Sequence, residues 1–291
     1  MATNQEGGVD FVLYRYTPSL VAAIIFIVLF VLTTAFHLYQ VIRTRSWYFL
    51  IFVAGGACYI CRALAHNDKQ NIPIYSVGTI MILLAPPLYA ASIYMTLGRL
   101  IMHLDAERLS VVPVKWLTAI FVTGDVIAFL MQAAGGGIMS SGTISAMNTG
   151  ESITIGGLAV QLVFFSIFII ASTIFHYRIR QNPTEESSKE QSRSSRATWE
   201  VVMSGLYIAS ILILIRSIFR LIEYAQGNDG YLISHEAFLY VFDSMLMFFT
   251  MVAMSIFHPS KVLSDPATAR RASPNAELLP TTRHKTQISN V

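Results

Sequence analysis

Long apolar runs separated by short polar stretches dominate the chain. Seven stand out, at about residues 18 to 42, 47 to 66, 75 to 101, 116 to 134, 153 to 177, 200 to 224 and 236 to 257. A helix needs about 20 predominantly apolar residues to cross about 30 Å of hydrocarbon, so each run is read as a membrane-spanning helix. A β-barrel is excluded, because the runs are continuous instead of alternating at every second position. The pattern predicts an all-α integral membrane protein. Its seven-transmembrane helix bundle occupies residues 18–258, between a short extracellular segment (1–17) and a disordered cytoplasmic tail (259–291). Pro86-Pro87 in the third run removes two helical donors and predicts a kink or break there.

Composition agrees with the pattern. Only 13% of the 291 residues are charged and 54% are hydrophobic, against about 25% charged in an ordinary soluble domain. A net charge of +3 is too balanced for a nucleic-acid footprint. The placement of Lys and Arg says more. Arg43 and Arg45 follow the first run; Arg99, Arg108 and Lys115 follow the third; Arg178, Arg180, Lys189, Arg193 and Arg196 follow the fifth; Lys261, Arg270, Arg271, Arg283 and Lys285 follow the seventh. The other side carries only Arg15 and Lys69. Basic residues gather on the cytoplasmic side, which predicts an N-terminus outside and a C-terminus in the cytoplasm. No cleavable signal peptide is visible, so the first run is expected to remain as an anchor.

Three stretches read as connections. Residues 181–198, polar and Ser-rich, predict a mobile cytoplasmic loop, and the tail from Pro259 reads likewise. Within the tail, Arg270-Arg271-Ala272-Ser273 has the form that basophilic kinases accept. Ala134 to Gly157, rich in Gly and Ser, reads as an outer loop, either a flexible lid or a linker.

Ionisable groups inside a span are expensive and by default mark a functional site. Here they gather in the expected outer half: Arg62 in the second run, Asp125 at mid-depth in the fourth with Gln132 further out, Arg216, Arg220 and Glu223 in the sixth, and His235, Glu236 and Asp243 in the seventh. Positions 216, 220 and 223 share one helical face, which must look inward. Arg216 and Asp243 fall at matching depths, roughly ten to twelve ångströms below the outer surface at the helical rise, and form the first candidate ion pair. The set predicts a mutually compensated network lining an outward-facing polar cavity, with these nine residues as substrate contacts; stapling the helices together is the structural alternative. The inner half offers His37, Gln40, Arg99, His103 and His258.

Catalytic readings find little support. Cys58 and Cys61 lie inside an apolar helix and read as small packing residues. His235 and His258 sit roughly 34 Å apart at the helical rise, too far to share a metal. His235-Glu236 lacks the second His of a zinc-protease motif, Leu239 standing in its place, and no lysine follows a glycine as a phosphate loop requires. No enzyme activity, cofactor or metal is expected. An intramembrane lipid hydrolase using Asp125, Asp243 and His235 ranks last among the alternatives.

Specific words in the sequence carry a resemblance. They include Tyr16-Thr17-Pro18-Ser19, His37 with Gln40, Arg45-Ser46-Trp47-Tyr48, Tyr59-Ile60-Cys61-Arg62 and Leu84-Ala85-Pro86-Pro87 running into Ala90-Ala91-Ser92-Ile93-Tyr94, then Gly98-Arg99. Gly124-Asp125-Val126, Gln132-Ala133, Gly135-Gly136-Gly137, Arg216, Phe219-Arg220, Glu223-Tyr224, Gly230-Tyr231, His235-Glu236, Phe242-Asp243 and His258-Pro259 continue it. Over residues 16 to 259 the chain resembles the fungal lipid-translocating exporters, the RTA-like seven-transmembrane proteins. Members commonly carry a Glu in the second span where this chain reads Gly55-Gly56-Ala57-Cys58-Tyr59. The resemblance implies a plasma-membrane exporter or translocator of amphipathic lipids, such as sphingoid long-chain bases and sterol-like toxic compounds, that gives resistance to them. Its partners would be membrane lipids and amphipathic small molecules. A seven-helix lipid or stress sensor acting indirectly, and a porphyrin or haem transporter with His37, His235 and His258 as suspects, are the alternatives.

Overall fold

The computed structural model describes residues 20–46, 50–54, 72–139, 143–188, 199–226, 238 and 240–259. Among them the chain is helical: α1 (Leu20–Thr44), α2 (Ile72–His103), α3 (Val114–Met139), α4 (Ile144–Gln181), α5 (Trp199–Ala225) and α6 (Leu246–Ile256), with a π-helical turn (Tyr240–Met245) leading into α6. These helices coincide with six of the seven apolar runs. The second run overlaps the described residues at 50–54, which are helical. Four helical segments, Ile24–Thr44, Val114–Met139, Ile144–Gln181 and Trp199–Ala225, are long and apolar enough to cross a membrane. Their outward faces carry Ile, Leu, Val and Phe in water-like exposure, for example Leu32, Leu130 and Ile170, as lipid-facing positions do.

Helix α2 passes through Pro86 and Pro87 without a break, and both prolines are buried. Neighbouring helices can re-satisfy the freed carbonyls in a bundle. Below the prolines Tyr89, Ile93, Tyr94, Leu97 and Leu100 face the core, where they meet Phe121, Phe165 and Phe168.

Among the described residues, the Gly- and Ser-rich stretch from Ala134 to Gly157 is almost wholly helical, where a loop is expected. Helix α3 continues to Met139 and α4 begins at Ile144, capped by Thr143, whose Oγ1 accepts from Ala146 N at 3.3 Å. The glycines serve contact between two antiparallel helices: a Cβ on Gly150 would lie 2.5 Å from Gly135 O, and one on Gly157 2.8 Å from Ala128 O. In a membrane, small residues let backbones approach, which outweighs their poor helix propensity. The expected loop at 181–198 is also shorter. Thr184 Oγ1 donates to Leu104 O at 2.7 Å, residues 185–188 are helical and Ser187 is buried, while 189–198 lie outside the described residues.

Two helices end in the same way. Arg45 (φ 52°) and Asp105 (φ 51°) adopt left-handed backbone, and the following amides bond five residues back, Ser46 N to Val41 O at 3.2 Å and Ala106 N to Ile101 O at 3.1 Å. These are Schellman terminations without the usual glycine.

Candidate functional site

Six of the nine residues singled out on depth and charge are described, on α3, α5 and the π-helical turn; four of them pair with one another, and Asp125 and Gln132 find other partners. On α5, the spacing 216, 220, 223 places all three side chains on the buried face, with Arg216 3% and Glu223 7% exposed. Arg216 Nε reaches Asp243 Oδ1 at 2.5 Å, as matching depth predicts, and Asp243 is fully buried. One turn on, Arg220 Nη1 donates to Glu223 Oε2 at 2.7 Å, and its guanidinium lies over the Tyr224 ring, 5.0 Å from the centroid. Asp243 sits inside the π-helical turn, beside Phe242, which stacks on Phe219 of α5 with centroids 4.7 Å apart.

Asp125 behaves differently. Among the described residues its partner is Tyr94 of α2, whose hydroxyl donates to Oδ2 at 2.9 Å. Helix α3 lies against α2 and α4, whereas the arginines are on α5, which packs on α2, α4, α6 and the turn. Asp125 is 2% exposed, and among the described residues no cation lies within ion-pair distance of it and Oδ1 has no hydrogen-bond partner. Aromatic rings surround its partner, with Phe168, Phe121 and Phe165 at 4.5, 5.4 and 6.2 Å from the Tyr94 ring. Two turns along α3, Gln132 Nε2 donates to Gln161 Oε1 of α4 at 3.0 Å. Arg62, His235 and Glu236 lie outside the described residues, as do Cys58, Cys61 and Ser273.

Tyr94 and Gln161 are the partners that depth and charge did not single out. Gln161 had a signal, a side-chain amide within an apolar run. Tyr94 had none in charge or depth.

The inner-half histidine is a fastener between α1 and α6. His37 is fully buried, its Nε2 lying 2.8 Å from Met251 O and 2.9 Å from Ser255 Oγ, while Gln40 Nε2 donates to Ser255 O at 3.1 Å. A ring engaged in this way joins α1 to α6.

Comparison with known proteins adds the family. The model described as "RTA1 like protein" matches residues 54–266. Protoporphyrin uptake protein 1 of Saccharomyces cerevisiae is 34% identical, over 88% of this chain and 94% of that protein. The probable lipid transporter atnI of Emericella nidulans is 30% identical, over 87% of this chain and 69% of that protein. The sphingoid long-chain base transporter RSB1 of S. cerevisiae is 27% identical, over 91% of this chain and 78% of that protein. No solved structure matches. All three relatives are fungal, and the apolar helices, the buried intramembrane charges and the family match over most of the bundle meet in one conclusion: this chain is an integral membrane protein of the RTA1-like family.

Proposed function

We propose that this protein moves cationic amphipathic lipids across a membrane, and that Asp125 receives the positively charged head. The observation that carries the reading is the difference among the buried acids. Asp243 and Glu223 already face Arg216 and Arg220, whereas Asp125 faces a tyrosine hydroxyl and aromatic rings. A carboxylate whose partner is a tyrosine set among aromatic rings suits an ammonium group, which gains from the charge and, over a ring face, from its quadrupole. The relatives named as a lipid transporter and a sphingoid long-chain base transporter support this class of cargo.

In this reading the bundle has seven spans, with the N-terminus outside and the C-terminus in the cytoplasm, as the flanking basic residues favour. The plasma membrane is its site. Arg62, Gln132, Arg216, Arg220, Glu223, His235, Glu236 and Asp243 border an outward-facing polar cavity through which the head group passes while the chain stays in lipid. No bond is made or broken, so neither catalysis nor a cofactor is required. The test uses purified protein in liposomes carrying labelled phytosphingosine in one leaflet. Wild type exchanges the label between leaflets, and Asp125→Asn slows this at least about tenfold, the loss of one charge-assisted contact. Equal rates for the two would refute the role of Asp125, and no exchange by wild type would refute translocation and favour a sensor. The similarity to a protoporphyrin uptake protein supports a second cargo, tested by adding protoporphyrin to the same liposomes.

A further inference from the structure

The buried acids of the bundle differ in what balances their charge. Asp243 faces Arg216 and Glu223 faces Arg220. Asp125, equally buried, receives one neutral donor, the Tyr94 hydroxyl on Oδ2, and its Oδ1 has no hydrogen-bond partner among the described residues. The two helices packed on α3 bring no counter-charge to this level among those residues. On α2, Tyr89 is set against Phe52, Arg99 is exposed, and His103 lies about 14 Å beyond Tyr94 at the helical rise. On α4, Phe164 lies against Gly124, and the ionisable side chains on either side of it, Glu151 and His176, are about 18 Å or more away along the helix. On α3 itself Lys115 is about 15 Å back from Asp125. A carboxylate taken out of water with a single neutral hydrogen bond is not compensated for its lost hydration, and a proton is the counter-charge nearest to hand.

We propose that Asp125 holds a proton on Oδ1 when no cargo is bound and exchanges it for the cationic head, one proton released for each cation taken up. The proposal rests on the reading of Asp125 as the cation site. In the exchange the carboxyl O–H bond breaks, its electron pair stays on Oδ1, the proton leaves to water, and the ammonium group becomes the counter-charge of the carboxylate; nothing is oxidised or reduced. Tyr94 serves both states, because its hydroxyl donates to Oδ2 whether Oδ1 carries a proton or a charge, and the rings of Phe121, Phe165 and Phe168 around it hold it in place. The site is then electrically neutral both empty and loaded, so neither state buries an unbalanced charge. An acid that is always either protonated or loaded ties the movement of a cation in one direction to that of a proton in the other.

The test is phytosphingosine binding to the full chain in lipid nanodiscs between about pH 5 and 7, where an aliphatic amine is fully protonated. A pH indicator in weakly buffered suspension reads the protons set free, and infrared difference spectra read the C=O band of a protonated carboxyl group. Wild type is expected to release about one proton per cation bound and to lose that band, and its Kd rises by up to about tenfold for each unit the pH is lowered. Asp125→Asn releases no proton and lacks the band. Tyr94→Phe removes the donor that favours the charged form, so it loses more affinity at the acid end of the range than at the neutral end, a split that a merely structural role does not produce. Binding without proton release, or proton release that persists in Asp125→Asn, overturns the exchange and leaves cation binding standing. No binding by wild type overturns the cation site, and the exchange with it.

Discussion

Replacing Asp243 by Asn, or Arg216 by Met, removes one side of a buried ion pair. The side chains are 0% and 4% exposed, so solvent screens the pair little, and breaking a buried pair from one side costs about 3–5 kcal/mol. At about 2–4 °C per kcal/mol for a chain of this size, each single variant loses roughly 6–20 °C in the midpoint of thermal unfolding in detergent. The double variant Arg216→Met/Asp243→Leu removes both charges and keeps the volume apolar. It is expected to recover most of the loss, giving a coupling energy of about 2 kcal/mol or more in a double-mutant cycle. Fluorescence-detected size exclusion after a heating series measures all four proteins. The reasoning fails if either single variant stays within about 1 kcal/mol of wild type, or if the double variant shows the sum of the two losses.

Two further outcomes follow from backbone geometry. Gly135→Leu forces a side chain against Gly150 and Thr154 of α4 and is expected to lower stability by about 1–3 kcal/mol, whereas Gly136→Ala, with nothing within 4 Å, is neutral or slightly stabilising; similar midpoints for the pair would contradict the close helix contact. Arg45→Gly relieves a left-handed backbone at φ 52° and is expected to raise stability by about 1 kcal/mol. Asp105→Gly gains less, because Asp tolerates that conformation better; a fall in midpoint for Arg45→Gly would contradict the Schellman geometry.

Hydrophobic run length located the helices well, because the demand to cover hydrocarbon leaves a long unbroken signal. It failed where composition speaks two languages. Gly135, Gly150 and Gly157 look like loop residues in water and serve as close-packing points in a bundle, so α3 and α4 extend into what reads as a linker. The face spacing of Arg216, Arg220 and Glu223 was legible, as was the partnership of Arg216 with Asp243, since depth and charge sign are both linear in sequence. The partner of Asp125 was not, because it depends on which helix lies beside which. The π-helical turn at Tyr240–Met245 was also invisible: a single residue's excess in a helix leaves no mark on the apolar pattern.

Helix α4 runs for 38 residues, about 57 Å at the helical rise, nearly twice the depth of the hydrocarbon. Its foot is lashed to its neighbours by Arg180 to Glu200 at 3.1 Å and Arg178 to Leu109 O at 3.4 Å, and just beyond its end Thr184 adds its bond to Leu104 O. A rod of this length has the proportions of a lever. Pivoting about those lashings by only about 10° would swing its far end at Ile144 through roughly 10 Å, and α3, seated against it through Gly135 and Gly150, would be carried along. Asp125 rides on that second rod, part of the way up, so a small strain on those lashings would become ångström-scale travel at the buried carboxylate.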